Sequence, residues 1–359
     1  MTGPSAPQTG RIPAPGAEAT PVVTLVVAMR NEAASIEACL MSILAQDYPQ
    51  DRLEILVYDG ESTDDSLRIA RDLLHGRPLA AVHANPRQIQ AAAWNMGIAA
   101  GRGGVLGILS GHAVLARGYV RAAVAALAAT GADMVGGPVR AVGDGLVAEA
   151  IAVATSTPFG AGGARFRLAD RIEEVDTVFM GVAARSLYLR FPFDEEMVRN
   201  QDDELSYRLL DAGARIVCDP AIRSEYRSRA TLRGLARQYY SYGFWKVRVV
   251  QKHPAQVRLR HLVPPAFVVG VACATVAIAA DGIPRLVGLA IVGAYLVANV
   301  AATLMAARGR PRLVAVLPWI YLSLHAAYGT GFLVGLVHFR AGWPRGALRR
   351  AVSAVAWRR

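Results

Sequence analysis

The chain has 359 residues, enough for one to three domains at roughly 100–200 residues each. Apolar residues make up 53% and charged residues only 19%, which excludes intrinsic disorder over most of the length. Three widely spaced cysteines, Cys39, Cys218 and Cys273, exclude a disulfide scaffold and a cysteine-based zinc site. The net charge of +11 resembles a nucleic-acid signal until it is mapped. Residues 262–359 carry ten arginines against a single acid, Asp281, while residues 1–261 nearly balance, with 29 basic and 27 acidic groups. Positive charge flanking apolar runs points to a membrane and away from nucleic acid.

Residues 1–20 are rich in Pro, Ala, Gly and Thr and read as a disordered tail. They hold no apolar core of a secretory signal, so the soluble part is expected in the cytoplasm. Val22 to Ala28 is a short β-branched apolar run, the pattern of a buried parallel strand. Ser35 to Leu44 has helical spacing, Leu53 to Tyr58 is a second strand, and Asp64 to Leu74 a second helix. Ala80 to His83 makes a short third strand, Ile89 to Ala100 a third helix, and Val105 to Leu109 a further strand. Strands alternating with helices predict a doubly wound, mostly parallel α/β sheet over residues 21–222. Ligands of such sheets bind at the carboxyl ends of the strands, where Asn31, Glu32, Asp59 and Ser110-Gly111-His112 stand.

Residues 223–261 hold basic residues interleaved with Tyr239, Tyr240, Tyr242, Phe244 and Trp245, which suits a helix on an anionic membrane surface. Three long apolar runs follow within residues 262–340: Leu262 to Ala280, Leu286 to Ala307, and Leu313 to Phe339. Spanning a bilayer takes about 20 apolar residues. Arg308, Arg310 and Arg312 belong in the cytoplasm by the positive-inside rule, and so does the basic tail, residues 341–359. The third run is therefore expected to enter and leave on one side, as re-entrant half-helices or a kinked segment broken near Gly329-Thr330-Gly331.

Two motifs carry the chemistry. Arg30-Asn31-Glu32 ends the first strand, and Asp59-Gly60-Glu61-Ser62-Thr63-Asp64-Asp65-Ser66 ends the second. Together they resemble the N-terminal half of family 2 inverting glycosyltransferases of the GT-A fold. Pro158 to Arg167 and Asn200 to Arg208 resemble the membrane-bound, succinoglycan-type branch of that family. The resemblance implies a catalytic domain facing the cytoplasm from a multi-pass inner-membrane anchor. It implies transfer of a hexose, with inversion, from a nucleotide sugar (UDP-sugar before GDP-sugar) to a lipid-linked or glycolipid acceptor in surface polysaccharide synthesis. Glu32 and Asp59 can accept hydrogen bonds from base and ribose, with Ser62 and Thr63 read equally as helix caps or ligand contacts. Asn95, within Arg87 to Gly97, is the family's Asn-x-Gly candidate, and Trp94 reads as core.

The family carries Asp-x-Asp where this chain has Ser110-Gly111-His112. Ser110 and Gly111 are expected at the donor diphosphate; Ser is a weak ligand for Mg²⁺ or Mn²⁺ by comparison, and His112 reads either as a metal ligand or as a plain loop histidine. In-line displacement needs a base for the acceptor hydroxyl. By resemblance that base is Asp202 of Gln201-Asp202-Asp203-Glu204, with Asp203 and Glu204 as the other carboxylates. The same acids also suit a plain helix N-terminus. Gly136-Gly137 is expected to let backbone approach the sugar or acceptor. The family's Gln-x-x-Arg-Trp lacks its Arg here, leaving Trp245 and Lys246 to close over the site or to anchor at the interface. If no metal is used, Arg165, Arg167 and Lys246 are the cations to neutralise the diphosphate. Two further readings remain open: a non-catalytic nucleotide-sugar-binding partner of an assembly complex, and a processive polysaccharide synthase.

Overall fold

The computed structural model describes residues 20–162 and 169–343. The N-terminal tail through residue 19, Arg165, Arg167 and the basic tail from residue 344 lie outside the described residues. The chain divides into two compact units, Met1–Arg140 with Arg165–Tyr226, and Ala141–Ala164 with Arg227–Arg359. The second unit thus takes residues 141–164 out of the middle of the segment that the strand–helix pattern assigns to the catalytic domain.

The first unit begins with β1 (Val23–Met29), α1 (Ile36–Leu44), β2 (Leu53–Asp59), α2 (Ser66–Leu74), β3 (Ala80–Ala84) and α3 (Gln90–Ala100). It continues with β4 (Val105–Ser110), β5 (Ala113–Leu115), α4 (Tyr119–Thr130), β6 (Met134–Gly136) and β7 (Val139–Val142). Helices α5 (Leu146–Thr155) and α6 (Pro158–Ala161) belong to the second unit. The first resumes with β8 (Glu173–Glu174), β9 (Val182–Ala184), α7 (Arg185–Arg190), α8 (Gln201–Asp211), β10 (Ile216–Cys218) and β11 (Ser224–Arg227). Eight strands form one sheet in the order β3-β2-β1-β4-β9-β6-β10-β8. The first four are parallel, and β9 runs antiparallel to both β4 and β6. This is the mixed, mostly parallel α/β sheet of a GT-A-like fold.

Alternation along β1 explains the layering. Leu25, Val27 and Met29 pack with Ile36, Leu40 and Ile43 of α1 and with Ala70 and Leu74 of α2. Val26 and Ala28 point the other way, into a core with Ala91, Trp94 and Ile98 of α3 and Leu205 and Leu209 of α8. Every residue of β1 and β2 is buried, as strands covered on both faces require. A Cβ at Gly97 would collide with Val26, so α3 lies directly on β1.

The register sets the rim. Asp59 is paired with Met29 and with Ala84, and Ser110 with Ala28, so the loops carrying both motifs leave one edge side by side. At the opposite end the Glu54 carboxylate, 2% exposed, accepts from the Thr24 hydroxyl (2.6 Å), the Arg102 backbone N–H (2.7 Å) and its guanidinium (2.9 Å). Gly136 and Gly137 correct an expectation. A Cβ at Gly136 would strike Val178 and one at Gly137 the Ile222 carbonyl, so close internal packing accounts for both glycines.

The second unit holds α5, α6, α9 (Leu232–Lys252), α10 (Leu259–Ile278), α11 (Ile283–Ala306) and α12 (Leu317–His338). Thr231 caps α9 by accepting from the Gly234 N–H at 3.1 Å. By length and composition α10, α11 and α12 could each cross a membrane. The third run is one unbroken helix of 22 residues, not a pair of half-helices. Pro318 falls in its first turn, where a missing N–H costs nothing. His325 is accommodated by the Tyr295 hydroxyl at 3.1 Å and the Phe159 carbonyl at 2.9 Å, so it does not break the helix.

Candidate active site

The first two rim loops are stitched together by side chains. The Ser62 hydroxyl and backbone N–H both donate to the Asp59 carboxylate, and Ser62 Oγ accepts the Asn31 N–H at 2.9 Å. Asn31 Oδ1 accepts from the Thr63 N–H at 2.8 Å, and the Glu32 N–H donates to Ser66 Oγ at 2.7 Å. The Ala33 N–H donates to Asp64 at 3.1 Å. Burial works against the charged form of Asp64, yet hydrogen bonds from Ser66 and the Ala33 N–H hold its carboxyl below the usual range. Ser62 and Thr63 therefore serve as cross-braces, and α2 starts after them, at Ser66, with no side-chain cap. Asp59, 4% exposed, is a buried carboxylate at the rim.

Glu32 takes a part that spacing could not show. Its Oε1 lies 2.8 Å from His112 Nδ1 and its Oε2 accepts from the Ser35 hydroxyl at 2.8 Å. The His112 ring also meets Tyr226 edge-on, with centroids 5.3 Å apart. An imidazole held through Nδ1 by a carboxylate presents Nε2, the arrangement that orients metal-bound histidines. Gly111 sits between these groups, and a Cβ there would press on Met29 and Glu32. Its N–H bonds to the Ala28 carbonyl at 2.9 Å, and the Ser110 hydroxyl accepts from Gln90 at 2.6 Å. Both groups already have protein partners in the rim.

Asn95 is drawn away from the role expected of it. Its amide donates to the Phe193 carbonyl and to Glu195, both at 2.9 Å, and accepts the Phe193 N–H at 2.8 Å. It clamps the loop before α8, which Arg87 also holds through Glu195. Trp94 is core, 4% exposed, with its indole N–H on the Leu109 carbonyl at 3.0 Å.

Helix α8 starts after Asn200, whose φ is +60°. Asp202 lines a small cavity with Ile108 of β4, Met134, Gly181, Tyr188 and Phe193. Its Oδ1 accepts the Asp203 N–H at 3.0 Å, and Asp203 is half-buried. Glu204 differs. Its side chain is 2% exposed and holds the Arg208 guanidinium through both oxygens, and Arg208 in turn donates to the Pro192 carbonyl at 2.7 Å. Glu204 is a fastener of the α8 wall. Sequence reasoning gave no site role to Gln90 or Tyr226. Asn31, which the sequence already places at a strand end, takes the left-handed φ of +53° that asparagine tolerates and a sharp post-strand turn needs.

Among the described residues no group of three or more His, Cys, Asp or Glu is placed to hold a metal. The donor set at the rim is one imidazole with a carboxylate behind it. That fits a divalent ion ligated mainly by substrate phosphates.

The sequence pattern of Glycosyl transferase family 2 matches residues 24–195. The succinoglycan biosynthesis protein ExoA of Rhizobium meliloti (strain 1021) is 32% identical over 248 residues, 67% of this chain and 74% of that protein. A dolichyl N-acetyl-alpha-D-glucosaminyl phosphate 3-beta-D-2,3-diacetamido-2,3-dideoxy-beta-D-glucuronosyltransferase of Methanococcus voltae is 27% identical over 239 residues, 64% of this chain and 74% of that one. Among solved structures, mannosyltransferase PcManGT from Pyrobaculum calidifontis, in complex with GDP-Man and Mn²⁺, superposes with a TM-score of 0.59 at 19% identity. That alignment covers 90% of this chain and 89% of PcManGT and speaks for the fold alone. With the strand-end motifs stitched into one rim and a relative this similar over two-thirds of its length, the chain belongs to glycosyl transferase family 2.

Proposed function

We propose that this protein is a membrane-held inverting glycosyltransferase that moves a hexose from a UDP-sugar to a lipid-linked acceptor. The catalytic unit works on the cytoplasmic face of the inner membrane, where nucleotide sugars are made. The observation that carries the reading is the stitched rim, in which Asp59 and the Glu32–His112 pair are pre-aimed before any ligand arrives. Asp59 binds base and ribose. Glu32 holds the His112 ring so that Nε2 faces the diphosphate. A bound Mg²⁺ or Mn²⁺ would neutralise charge on the leaving diphosphate. Asp202 takes the proton from the acceptor hydroxyl as the new bond forms on the opposite face of the anomeric carbon. Asp202 shares its small cavity with both apolar side chains, such as Ile108 and Leu205, and Ser206.

The relatives support the acceptor class, since one is named for a dolichyl-phosphate-linked sugar and another for succinoglycan biosynthesis. Membranes holding the protein, incubated with a panel of labelled nucleotide sugars, should pass label from one of them to extractable lipid. Absence of both lipid label and donor hydrolysis across the panel would favour the non-catalytic binding partner. Long labelled polymer would favour the processive synthase.

A further inference from the structure

Helices that cross a membrane in series must alternate in direction. If α10, α11 and α12 were three successive crossings, α10 and α12 would start on one face and end on the other. The contacts inside the second unit contradict that arrangement. Helices α10 and α11 form an antiparallel hairpin, with Gly288 against Ala274 and Ile278, and the Phe267 and Tyr295 rings 4.3 Å apart. The hairpin returns the chain to the face where it began, and the start of α12 is fixed there. Asn299 donates to the Pro318 carbonyl at 3.1 Å, and Arg310 and Arg312 pair with Glu149 of α5.

The end of α12 is fixed to the same face by α9. The two helices run parallel, side by side. Gly331 lies on the Tyr240 backbone, Gly335 on Phe244, and the Phe339 carbonyl accepts from Gln251. Gly342 lies against Arg248 and Gln251. Only residues 253–258 separate α9 from α10. Six residues reach at most about 22 Å even when extended, and Pro254–Gln256 are coiled into a helical turn. The hydrocarbon core is about 30 Å thick. The end of α12 therefore cannot lie across the membrane from the start of α10.

Charge leads to the same result. Helix α9 carries Arg233, Arg237, Lys246, Arg248 and Lys252 and no acid, spread over roughly 29 Å of axis at 1.5 Å per residue. No placement of α12 across a bilayer keeps all of them out of hydrocarbon, where Lys and Arg are strongly disfavoured. In its most apolar stretch 39% of α12 is buried, against 17% for each helix of the hairpin. What it leaves outward is a stripe of Trp319, Leu322, Thr330, Val334 and Val337, with His338 exposed at its end.

We infer that α12 lies along the membrane surface, its outward stripe in the lipid headgroup–acyl boundary and α9 on its flank, so that among the described helices α10 and α11 alone cross. Arg308 to Arg312 before α12 and Arg340 after it then share one face, as the positive-inside rule asks. The inference rests on the proposed membrane setting and is tested separately from it. Cys39 and Cys218 are buried, their thiols pushed up to about 12 mainly by burial, so single probe cysteines can be read once Cys273 is changed to Ser. In intact spheroplasts of an expressing bacterium an impermeant maleimide should label Asp281→Cys. It should label neither Arg308→Cys nor Ala341→Cys until detergent is added. Labelling of Ala341→Cys together with Asp281→Cys leaves the membrane setting standing and overturns the inference. An unlabelled Asp281→Cys overturns both. Spin labels at Leu322→Cys, Thr330→Cys and Val337→Cys give a second reading. All three should sit at one depth, about 5–10 Å below the headgroups, and a Thr330 label at the bilayer centre would refute the inference.

Discussion

Replacing Asp202 by Asn separates chemistry from architecture. The Asp203 N–H now bonds to Asp202 Oδ1 at 3.0 Å, and an asparagine oxygen keeps that bond. The substitution removes a negative charge at the start of α8, worth a few tenths of a kcal/mol to the helix dipole, and with it the ability to take a proton. A general base contributes roughly 100-fold or more, which is about 2.7 kcal/mol of barrier. Asp202→Asn should therefore lose at least about 100-fold in turnover, with UDP affinity and melting temperature nearly unchanged. Glu204→Gln is the informative contrast. Both Glu204 oxygens hold Arg208, whose side chain is 27% exposed while that of Glu204 is 2% exposed. Breaking a buried pair costs about 3–5 kcal/mol. Partial exposure of Arg208 and the acceptor that Gln retains reduce this to about 1–3 kcal/mol. At about 2–4 °C per kcal/mol that is a fall of several degrees. Initial rates of lipid labelling, calorimetry with UDP and thermal melts of the same preparations provide the three readouts. If Asp202→Asn turns over normally and Asp203→Asn does not, the base is assigned to the wrong carboxylate. A Glu204→Gln protein that melts normally yet is inactive would place the chemistry at Glu204.

Asp59→Ala removes the acceptor of two Ser62 hydrogen bonds along with the proposed base and ribose contact, and should weaken UDP binding by about 1–3 kcal/mol. Unchanged affinity by calorimetry would take Asp59 out of the site. EDTA should inhibit transfer, Mn²⁺ should restore it, and His112→Ala should raise the Mn²⁺ concentration needed. Full activity in EDTA would instead shift diphosphate neutralisation to protein cations. Glu54 makes the fold acid-sensitive. Burial pushes its carboxyl up, but the Thr24 hydroxyl and both donors of Arg102 outweigh this and hold it below its ordinary range. A folded value below the unfolded one, about 4.3, means the stabilisation is complete above that pH and is lost as pH falls through the folded value. Glu54→Gln should flatten the dependence of melting temperature on pH below about 4.3; an unchanged slope would show that Glu54 is not the group responsible.

The strands and helices of the first half were legible because each side chain declares its own burial. Val23 to Met29 and Leu53 to Asp59 are apolar on both faces, and only a sheet covered on both sides accommodates that. The spacing of Asp59 through Ser66 behind Asn31-Glu32 was enough to bring both motif loops to one rim, since parallel strands bring their carboxyl ends together. Three apolar runs were countable for the same reason. What composition could not contain was which partner each polar group would find. Glu32 faces His112, 80 residues away, and Asn95 faces Phe193, 98 residues away. Two neighbouring acids of one helix, Asp202 and Glu204, turn to a cavity and to an arginine because they sit at different angles around α8. Gly329 and Gly331 read as a break in the third apolar run and turned out to be places where other backbones touch an intact helix. Local pattern reports what a residue can bury. Pairings between groups far apart in the chain arise only when sheet register and helix packing bring them within reach, and those are properties of the whole fold.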